Sequence, residues 1–543
     1  MHQTKLYERV CGKLEEAMRV GALRPGDRLP SVRRLSGRER VSVSTVLQAY
    51  LKLESRGLIE ARPQSGHYVR WQRPLPPEPP PTRPAPGATP VTVSALVAKV
   101  VDSARDPDLV PLGCSQTDPD LFPWRRLGRI AAGIAREGGG FTYELPPGAR
   151  SLRRQLARRS LDWGCTLSPD DFIVTSGAME AVQLSLLAVA RQGDAIAIES
   201  PAYFGSLQLI EALGLKAVEI PSCARQGMDL DALERALRSR RIAAVLAVTN
   251  FSNPLGCVIP DANKERLVEM LGAREVPLIE DDLYGDLYFG DSRPRAAKSF
   301  DKRGLVLYCS SFSKTLAPGW RVGWVVPGRY RERVALLKFA QTVATASLQQ
   351  LAFAEFLAGG HYERHLRSLR KSVAATMRSL GDAVAAHFPA GTRATRPDGG
   401  GVVWVELPGG ISALELHDRA LAAGIAIAPG PIFSARQDYE HCIRISCGVV
   451  APGRGGDRDP GPDCGGAALR RGGAARPPWV ILRAVDRPRR RRGVPAAAPG
   501  WRRPASRALR SRRRSVPPGR RVPSSRPSPA PPRPREGRPG SRR

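Results

Sequence analysis

The residues of this chain best suited to covalent chemistry lie in the serine-rich stretch 310–315, which follows a short apolar run. The amine of Lys314 can form an imine with an aldehyde. The hydroxyl groups of Ser311 and Ser313, together with Arg321 seven residues beyond the lysine, suit a phosphate dianion. Taken alone, the same stretch is equally typical of an ordinary loop with a solvated lysine.

Two further strand ends carry residues that suit a phosphorylated aromatic cofactor. Asp281 follows an apolar run, and a carboxylate beside a pyridine nitrogen stabilises the protonated ring as an electron sink. Gly177 and Ala178 open a helix whose free amides can hold a phosphate. Each signal is weak alone, because an acidic residue here can also cap a helix or lie in a solvated loop, and a small-residue turn is often structural.

The elements that must hold these residues begin at about residue 93, where short apolar runs alternate with helical stretches. The runs lie at residues 171–175, 195–198, 243–248, 277–280 and 305–308. This alternation predicts an α/β fold with a largely parallel, buried sheet. Because ligands in such folds bind beyond the carboxyl ends of the strands, we expect the polar residues at those ends to form one site.

In combination, these motifs resemble the fold-type I aminotransferases of class I/II, which use pyridoxal 5'-phosphate. The resemblance rests on the stretch from Asn253 to Gly256, on Asp281-x-x-Tyr284, on the lysine stretch and on Arg321, in this order and spacing. It extends from about residue 110 to 448. It implies a mostly parallel central sheet and a smaller α+β C-terminal subdomain.

The resemblance also implies roles for the matching residues. Lys314 and Asp281 are the candidate catalytic residues, as the lysine that binds the cofactor as a Schiff base and the partner of its pyridine nitrogen. Arg444 resembles the arginine that binds the α-carboxylate of the substrate. The other candidates for cofactor binding are Asn253, Tyr284, Tyr203, Gly177, Ala178, Ser311, Ser313, Arg321 and, reaching the phosphate of a neighbouring subunit, Tyr143.

Residues 1–70 show the pattern of three helices followed by two short strands. Apolar residues at positions 6, 10, 14 and 18 form one helix stripe, and Ser31 and Ser42 are suited to cap the second and third helices. Two short helices joined by a turn, the second beginning with hydroxyl residues, fit the major groove of DNA. The pattern alone also fits a three-helix bundle that binds no DNA.

The same residues resemble the GntR-type winged helix-turn-helix along its whole length, through motifs at residues 23–35, 41–50 and 57–69. The resemblance implies binding to a double-stranded DNA operator. Arg33 resembles the family's arginine that contacts phosphates or bases. The other contacts would come from the start of the recognition helix and from the wing tip, through Ser42, Ser44, Thr45, Ser65 and Gly66.

Composition sets the remaining boundaries of this 543-residue chain, whose net charge is +33. Residues 449–543 hold 26 Arg, no Lys, 5 acidic residues and 18 Pro without a helical or strand period, which predicts a disordered basic tail. Since the tail replaces the closing helix that the family resemblance implies, we also predict a frameshift near codon 449. Residues 71–92 are proline-rich and predict a semi-rigid linker.

We therefore expect a DNA-binding unit at residues 1–70, a linker at 71–92, an α/β unit at 93–448 and a tail at 449–543. The large part of the α/β unit is expected at about 110–335 and its small part at about 336–448. The nine cysteines include no C-x-x-C pair, and His361 and His365 lack a third ligand, so we expect no metal site. Without an apolar run of membrane length or a signal peptide, we expect a cytoplasmic protein without membrane contact.

A GntR-type unit joined to an aminotransferase-like unit in one chain resembles the MocR family of bacterial transcriptional regulators, which includes PdxR-like proteins. It implies a homodimer in which the aminotransferase-like unit senses pyridoxal 5'-phosphate, or an amino compound or amino acid as effector, and controls operator binding. The alternative is a catalytically active aminotransferase with an accessory DNA-binding unit. The retained lysine, aspartate and arginine fit both hypotheses.

Overall fold

The computed structural model describes residues 5–447, apart from residues 63, 71–73, 104–105, 107 and 116. The described residues belong to one compact unit. No helix among them is both long and apolar enough to cross a membrane. The segment 449–543, for which the sequence predicts disorder or a frameshift, lies outside the described residues.

Fourteen α-helices and seventeen strands make up the regular structure of the described residues. The helices are α1 (Leu6–Arg19), α2 (Val32–Glu39), α3 (Val43–Ser55), α4 (Ser94–Ser103), α5 (Trp124–Arg136), α6 (Arg150–Arg159), α7 (Ala178–Val189), α8 (Phe204–Ala212), α9 (Leu230–Ser239), α10 (Asp261–Ala273), α11 (Arg331–Thr342), α12 (Ser347–Ala358), α13 (His361–His387) and α14 (Ala413–Ala422). The strands are β1 (Ile59–Arg62), β2 (Gly66–Val69), β3 (Ala88–Pro90), β4 (Val110–Pro111), β5 (Ile173–Thr175), β6 (Ala195–Ser200), β7 (Lys216–Cys223), β8 (Gly227–Met228), β9 (Ala244–Ala247), β10 (Leu278–Asp281), β11 (Val306–Ser311), β12 (Gly323–Val326), β13 (Arg393–Ala394), β14 (Val402–Glu406), β15 (Ile425–Ala426), β16 (Ala428–Pro429) and β17 (Cys442–Ser446).

The N-terminal residues 5–70, which we call the head, fold into α1, α2, α3 and an antiparallel wing of β1 and β2. Apolar residues from all three helices and both strands share one core, with Val10 and Tyr50 at its centre. Ser31 and Ser42 accept hydrogen bonds from backbone amides in the first turns of α2 and α3, so both predicted caps are confirmed. The head therefore has the architecture of a winged helix-turn-helix.

A proline-rich segment, residues 74–87, follows the head and lies along the rest of the protein. The backbone oxygen of Pro77 accepts a hydrogen bond from the amide of Ala394, at 2.9 Å. Glu78 forms an ion pair with Arg225, at 2.8 Å, and Thr82 donates to the backbone oxygen of Ser200, at 2.6 Å. The extended proline backbone leaves its carbonyl groups free to accept such bonds.

The expectation of a linker over residues 71–92 is wrong at its C-terminal end. Residues 88–90 form β3, which pairs antiparallel with β7 at the edge of the main sheet. An edge strand tolerates Pro90 because a missing backbone N–H there removes no bond between two inner strands. The segment before the α/β part is thus fastened to it at several points.

The expected α/β fold with a mostly parallel sheet is confirmed. The sheet has the order β3-β7-β6-β9-β10-β11-β12-β5, with β8 paired to β7. Strands β7, β6, β9, β10 and β11 are parallel, whereas β12 is antiparallel to both of its neighbours. The five apolar runs predicted from the sequence correspond to β5, β6, β9, β10 and β11.

The C-terminal region forms the smaller subdomain that the sequence predicts. Its antiparallel sheet has the order β13-β14-β17-β16, and α14 packs beside it. Strand β15 pairs in parallel with β4, at residues 110–111. The chain near residue 110 therefore lies against the small part, although the sequence analysis placed the start of the large part there.

One long helix, α13, extends from the α/β core to the head. Near its beginning, the Tyr362 hydroxyl donates to Thr315 Oγ1 at 2.7 Å, and His365 Nε2 donates to the Thr315 backbone oxygen at 2.6 Å. Near its end, Asp382 forms a 2.6 Å ion pair with Arg70 of the head. This 27-residue helix thus contacts both the α/β core and the head.

Candidate functional site

Lys314 lies just beyond the end of β11, as the sequence predicts. Its Nζ donates a hydrogen bond to the backbone oxygen of Ser115, and Thr117 Oγ1 donates to the Lys314 backbone oxygen at 3.3 Å. Removal from water lowers the pKa of the Lys314 amine, and the nearby Arg444 guanidinium lowers it further. A lowered pKa favours the neutral amine, which is the nucleophilic form.

Asp281 is the last residue of β10 and is buried, with 6% of its surface exposed. Its Oδ1 atom has no hydrogen-bond partner among the described residues. Burial, reinforced by the charge of neighbouring Asp282, raises the pKa of the Asp281 carboxyl to about 7. A buried acceptor without a donor is costly, and a protonated pyridine nitrogen would supply the missing donor.

Arg444 projects from β17 and is buried. Its guanidinium donates to the Asn253 side chain at 3.2 Å and to the backbone oxygen of Gly113. Its Nε has no partner among the described residues. A buried guanidinium with unused donor capacity suits a carboxylate that can accept bidentately.

The short segment 113–115 is a part of the site that the sequence analysis missed. Its backbone oxygens accept hydrogen bonds from Arg444 and Lys314, and the Ser115 hydroxyl lies 2.6 Å from the Tyr284 hydroxyl. A side chain at Gly113 would collide with the backbone at Ile427, so only glycine fits there. A ligand carboxylate at Arg444 would compete with the backbone oxygen of Gly113.

The residues expected to bind phosphate are gathered at the start of α7. Gly177, at φ 91°, precedes that helix, and no side chain caps it, so amides of its first turn remain open. Arg321 donates to Ser313 Oγ at 3.2 Å and to the backbone oxygen of Ser176 at 3.1 Å, and the amide of Ser313 donates to Ser311 Oγ. A Cβ at Gly177 would collide with the Arg321 guanidinium. Ala178 is the first residue of the helix.

The two remaining tyrosine candidates differ in position. Tyr203 immediately precedes α8, and its hydroxyl is close enough to Lys314 for the two groups to interact electrostatically. Burial raises the pKa of the Tyr203 hydroxyl. Tyr143 is 79% exposed and is not brought to the site within one chain. The role of Tyr143 at the phosphate of a neighbouring subunit stays a prediction.

Behind the site lies a buried polar network that the sequence analysis also missed. Arg293 bridges Asp282, at 2.5 Å, and Asp286, at 2.8 Å. Burial raises the pKa of Asp286, but the guanidinium groups of Arg159 and Arg293 outweigh burial and bring it to about 2. The network stabilises the loop that follows Asp281, because each buried carboxylate in it faces a cation.

The two histidines considered as metal ligands have other partners. His365 donates to the backbone oxygen of Thr315, and His361 Nδ1 lies 2.9 Å from Arg126. Within the described residues, no group of three or more His, Cys, Asp or Glu side chains could hold a metal ion.

In the head, the predicted DNA-contacting residues lie on α2, on the first turn of α3 and on the wing. Arg33 is exposed. The Ser42 hydroxyl, which caps α3, lies within 2.8 Å of the hydroxyl groups of Ser44 and Thr45. At the wing tip, the Ser65 hydroxyl is 2.6 Å from that of Tyr68, and Gly66 adopts φ 110° beside Arg28. A positive φ at the tip favours glycine.

Comparison with known proteins agrees with both halves of this description. The aminotransferase class I and II family matches residues 119–451, and the gntR family of bacterial regulatory proteins matches residues 6–69. Two proteins of Escherichia coli (strain K12), named as uncharacterized HTH-type transcriptional regulators YjiR and YdcR, are each 39% identical to this chain. The alignments cover 82% and 81% of this chain and 95% of each relative.

Among solved structures, the α-aminoadipate aminotransferase LysN from Thermus thermophilus is similar, with a TM-score of 0.61 and 28% identity. The match covers 66% of this chain and 90% of LysN, which was crystallised with N-(5'-phosphopyridoxyl)-L-leucine. The chain belongs to the aminotransferase class I and II family, as one of the MocR-type members in which a GntR-family winged helix-turn-helix precedes the aminotransferase fold.

Proposed function

We propose that this chain is a transcriptional regulator whose head binds an operator and whose α/β part binds pyridoxal 5'-phosphate and an amino compound. The observation that carries the proposal is the presence, in one chain, of a winged helix-turn-helix and of a site that combines Lys314 and Asp281, which follow or end neighbouring strands, with Arg444 on β17. A metabolic enzyme has no evident use for a winged helix-turn-helix. A simple DNA-binding protein has no evident use for the lysine, aspartate and arginine of the site.

The residues fit the cofactor in charge and in hydrogen-bonding capacity. When bound, pyridoxal 5'-phosphate supplies an aldehyde that condenses with primary amines and a ring that accepts electrons once its nitrogen is protonated. We infer that Lys314 holds the aldehyde end, that Asp281 keeps the ring nitrogen protonated, and that Asn253 and Tyr284 bind the ring hydroxyl. Tyr203 would stack on the ring, and the phosphate would bind Gly177, Ala178, Ser311, Ser313 and Arg321.

The effector is expected to be an amino compound with a carboxylate. Arg444 has an Nε donor without a partner among the described residues, so it can bind a carboxylate in place of the Gly113 oxygen. The Lys314 amine, when it is not joined to the cofactor, would be available to move a proton at the carbon that bears the effector's amine. Effector binding therefore changes the partners of segment 113–115.

We further propose a homodimer. Apolar side chains that a monomer would leave in water include Leu336 and Phe339 on α11, which are 72% and 52% exposed, together with Phe141 and Tyr143. A partner subunit covering them would bring Tyr143 to the phosphate end of the neighbouring site. Two heads would then read two half-sites, and an effector that binds one dimer arrangement more tightly would shift their spacing.

An absorbance spectrum tests the cofactor half of this proposal. Purified protein mixed with pyridoxal 5'-phosphate should show the absorbance band of a cofactor joined to lysine, and Lys314→Ala should abolish the band. The exposed Lys302→Ala serves as the control and should retain it. Colourless wild-type protein, or a band that survives in Lys314→Ala, would contradict the proposal.

A second candidate function, aminotransferase activity, is favoured by the nearness of Lys314 to Asp281 and Arg444: the Lys314 amine lowers the pKa of Asp281, and the Arg444 guanidinium lowers the pKa of Lys314. Measuring product formation from amino acid and 2-oxo acid pairs, beside operator binding at physiological salt, separates the two functions. Steady turnover without specific operator binding would favour the enzyme. Effector-dependent operator binding without turnover would favour the regulator.

A further inference from the structure

The outward face of α3, the recognition helix of the head, carries no charged side chain. Val43, Ser44, Leu47, Gln48 and Leu51 form this face, and all five are exposed. Val43 and Leu47 are 50% and 45% exposed, although both are apolar. A monomer gains nothing from exposing apolar side chains in a row, so this face is suited to a partner that supplies apolar contacts.

The positive charge of the head lies around this face rather than on it. Residues 5–70 contain 14 Lys and Arg against 7 Asp and Glu, yet residues 41–51 contain none of these. Lys52 follows on the same helix, but its amine forms an ion pair with Asp291. Arg33, Arg34 and Arg38 are exposed on α2, the first helix of the helix-turn-helix. Arginines on that helix are placed to bind the phosphates of DNA, which leaves the uncharged face of α3 to meet the edges of the bases.

The face consists of two parallel rows with different chemistry. Val43 and Leu47 are four residues apart and form an apolar row, and Ser44 and Gln48 form a polar row beside it. The side-chain amide of Gln48 has no hydrogen-bond partner among the described residues and is therefore available. In the major groove, thymine presents a methyl group, and adenine presents the donor and acceptor that an amide side chain binds bidentately.

We propose that α3 selects A·T base pairs, with Val43 and Leu47 packing on thymine methyl groups and Gln48 binding adenine. The proposal rests on the proposed function, because it requires that the head bind DNA. Guanine is disfavoured at these positions, since its strongest readers are arginine and lysine, and none of the five residues of this face is either. The three arginines on α2 favour DNA over a protein as the partner of this face, because DNA phosphates supply the negative charge that a protein surface would have to match.

The experiment first uses the full-length protein to select duplexes from a random-sequence DNA library. The affinity for a selected duplex is then compared with that for the same duplex carrying deoxyuridine, which lacks only the methyl group, in place of thymidine. We expect A·T pairs to be enriched in the selected half-sites. Deoxyuridine should weaken wild-type binding about 4-fold for each contacted methyl group. Leu47→Ala should reduce that difference, because one apolar contact is gone, and Gln48→Ala should relax the preference for adenine.

Leu6→Ala is the matched control, because Leu6 is similarly exposed, at 53%, but lies on α1. It should bind thymidine and deoxyuridine duplexes with the wild-type ratio. Half-sites without enriched A·T pairs, or equal affinity for both duplexes in the wild type, would overturn the inference and leave the proposed function standing. Equal affinity with a changed oligomeric state in Leu47→Ala would mean that a protein covers this face. Failure to retain any duplex would overturn the proposed function as well.

Discussion

At the scale of single residues, Asp281 contributes the clearest dependence of stability on pH. Its pKa is 3.8 without its folded surroundings and about 7 in the fold without cofactor, mainly because of burial. The folded state therefore binds the proton more tightly than the unfolded state, and stability falls as pH rises from about 4 to about 7. Above about pH 7, the ionised Asp281 lowers the free energy of unfolding by on the order of 4 kcal/mol.

We predict that Asp281→Asn makes the cofactor-free protein more stable at pH 8 and changes it little at pH 4. Urea unfolding at the two pH values measures the difference. The same variant should retain pyridoxal 5'-phosphate less well, because the ring nitrogen loses its anionic partner. Asp398→Asn, whose carboxylate is 86% exposed, is the control. An unchanged pH dependence in Asp281→Asn would show that Asp281 does not carry this effect.

The site residues that the sequence analysis identified share one property, which is a recognisable spacing within a short motif. Lys314 and Arg321 stand in one such motif, and Asp281 and Tyr284 in another. Ser115 could not be found in this way, since it meets Lys314 across 199 positions through a backbone oxygen that any residue has. Contacts of this kind follow from tertiary packing rather than from local pattern.

At the scale of elements, the proline-rich segment shows what local pattern can and cannot predict. The prolines correctly predict an extended backbone, but not its attachment to the body of the protein. The attachment depends on Thr82, whose hydroxyl donates to Ser200 and Ser222 backbone oxygens and accepts from the Ser222 amide at 2.9 Å. Strand β7 was not predicted either, because Lys216, Glu219 and Pro221 interrupt its apolar residues.

We predict that Thr82→Val lowers the free energy of unfolding by about 1–3 kcal/mol, because the amide of Ser222 loses its partner while the shape of the side chain is kept. Thr92→Val is the matched control, since Thr92 is exposed and further along the same stretch of chain. Denaturant titration measures both variants. Equal stability of the two variants would indicate that the segment is held by its other contacts alone.

At the scale of the whole molecule, the apolar face of α11 predicts the assembly state. We expect wild-type protein to be a dimer and the double variant Leu336→Glu, Phe339→Glu to be a monomer, because burying two carboxylates in an apolar interface is costly. Light scattering after size exclusion measures the mass. The double variant should also bind an operator with two half-sites more weakly, since each head would bind alone.

Leu414→Glu, on α14, is the control for this prediction, because Leu414 is also exposed but lies in the small part. Leu414→Glu should remain a dimer and bind the two-half-site operator with wild-type affinity. A double variant that keeps the wild-type mass would place the subunit contact elsewhere on the molecule.

The long helix α13 gives the molecule a mechanical property. Twenty residues separate Tyr362, which touches the neighbour of Lys314, from Asp382, which holds Arg70, and this span is about 30 Å at 1.5 Å per residue. A tilt of roughly 5° about the Tyr362 end displaces the Asp382 end by ~2.5 Å, which is enough to break a hydrogen-bonded ion pair. If α13 moved as one body, a change too small to alter the packing around residue 314 would therefore shift the contact beneath the head by more than an ångström.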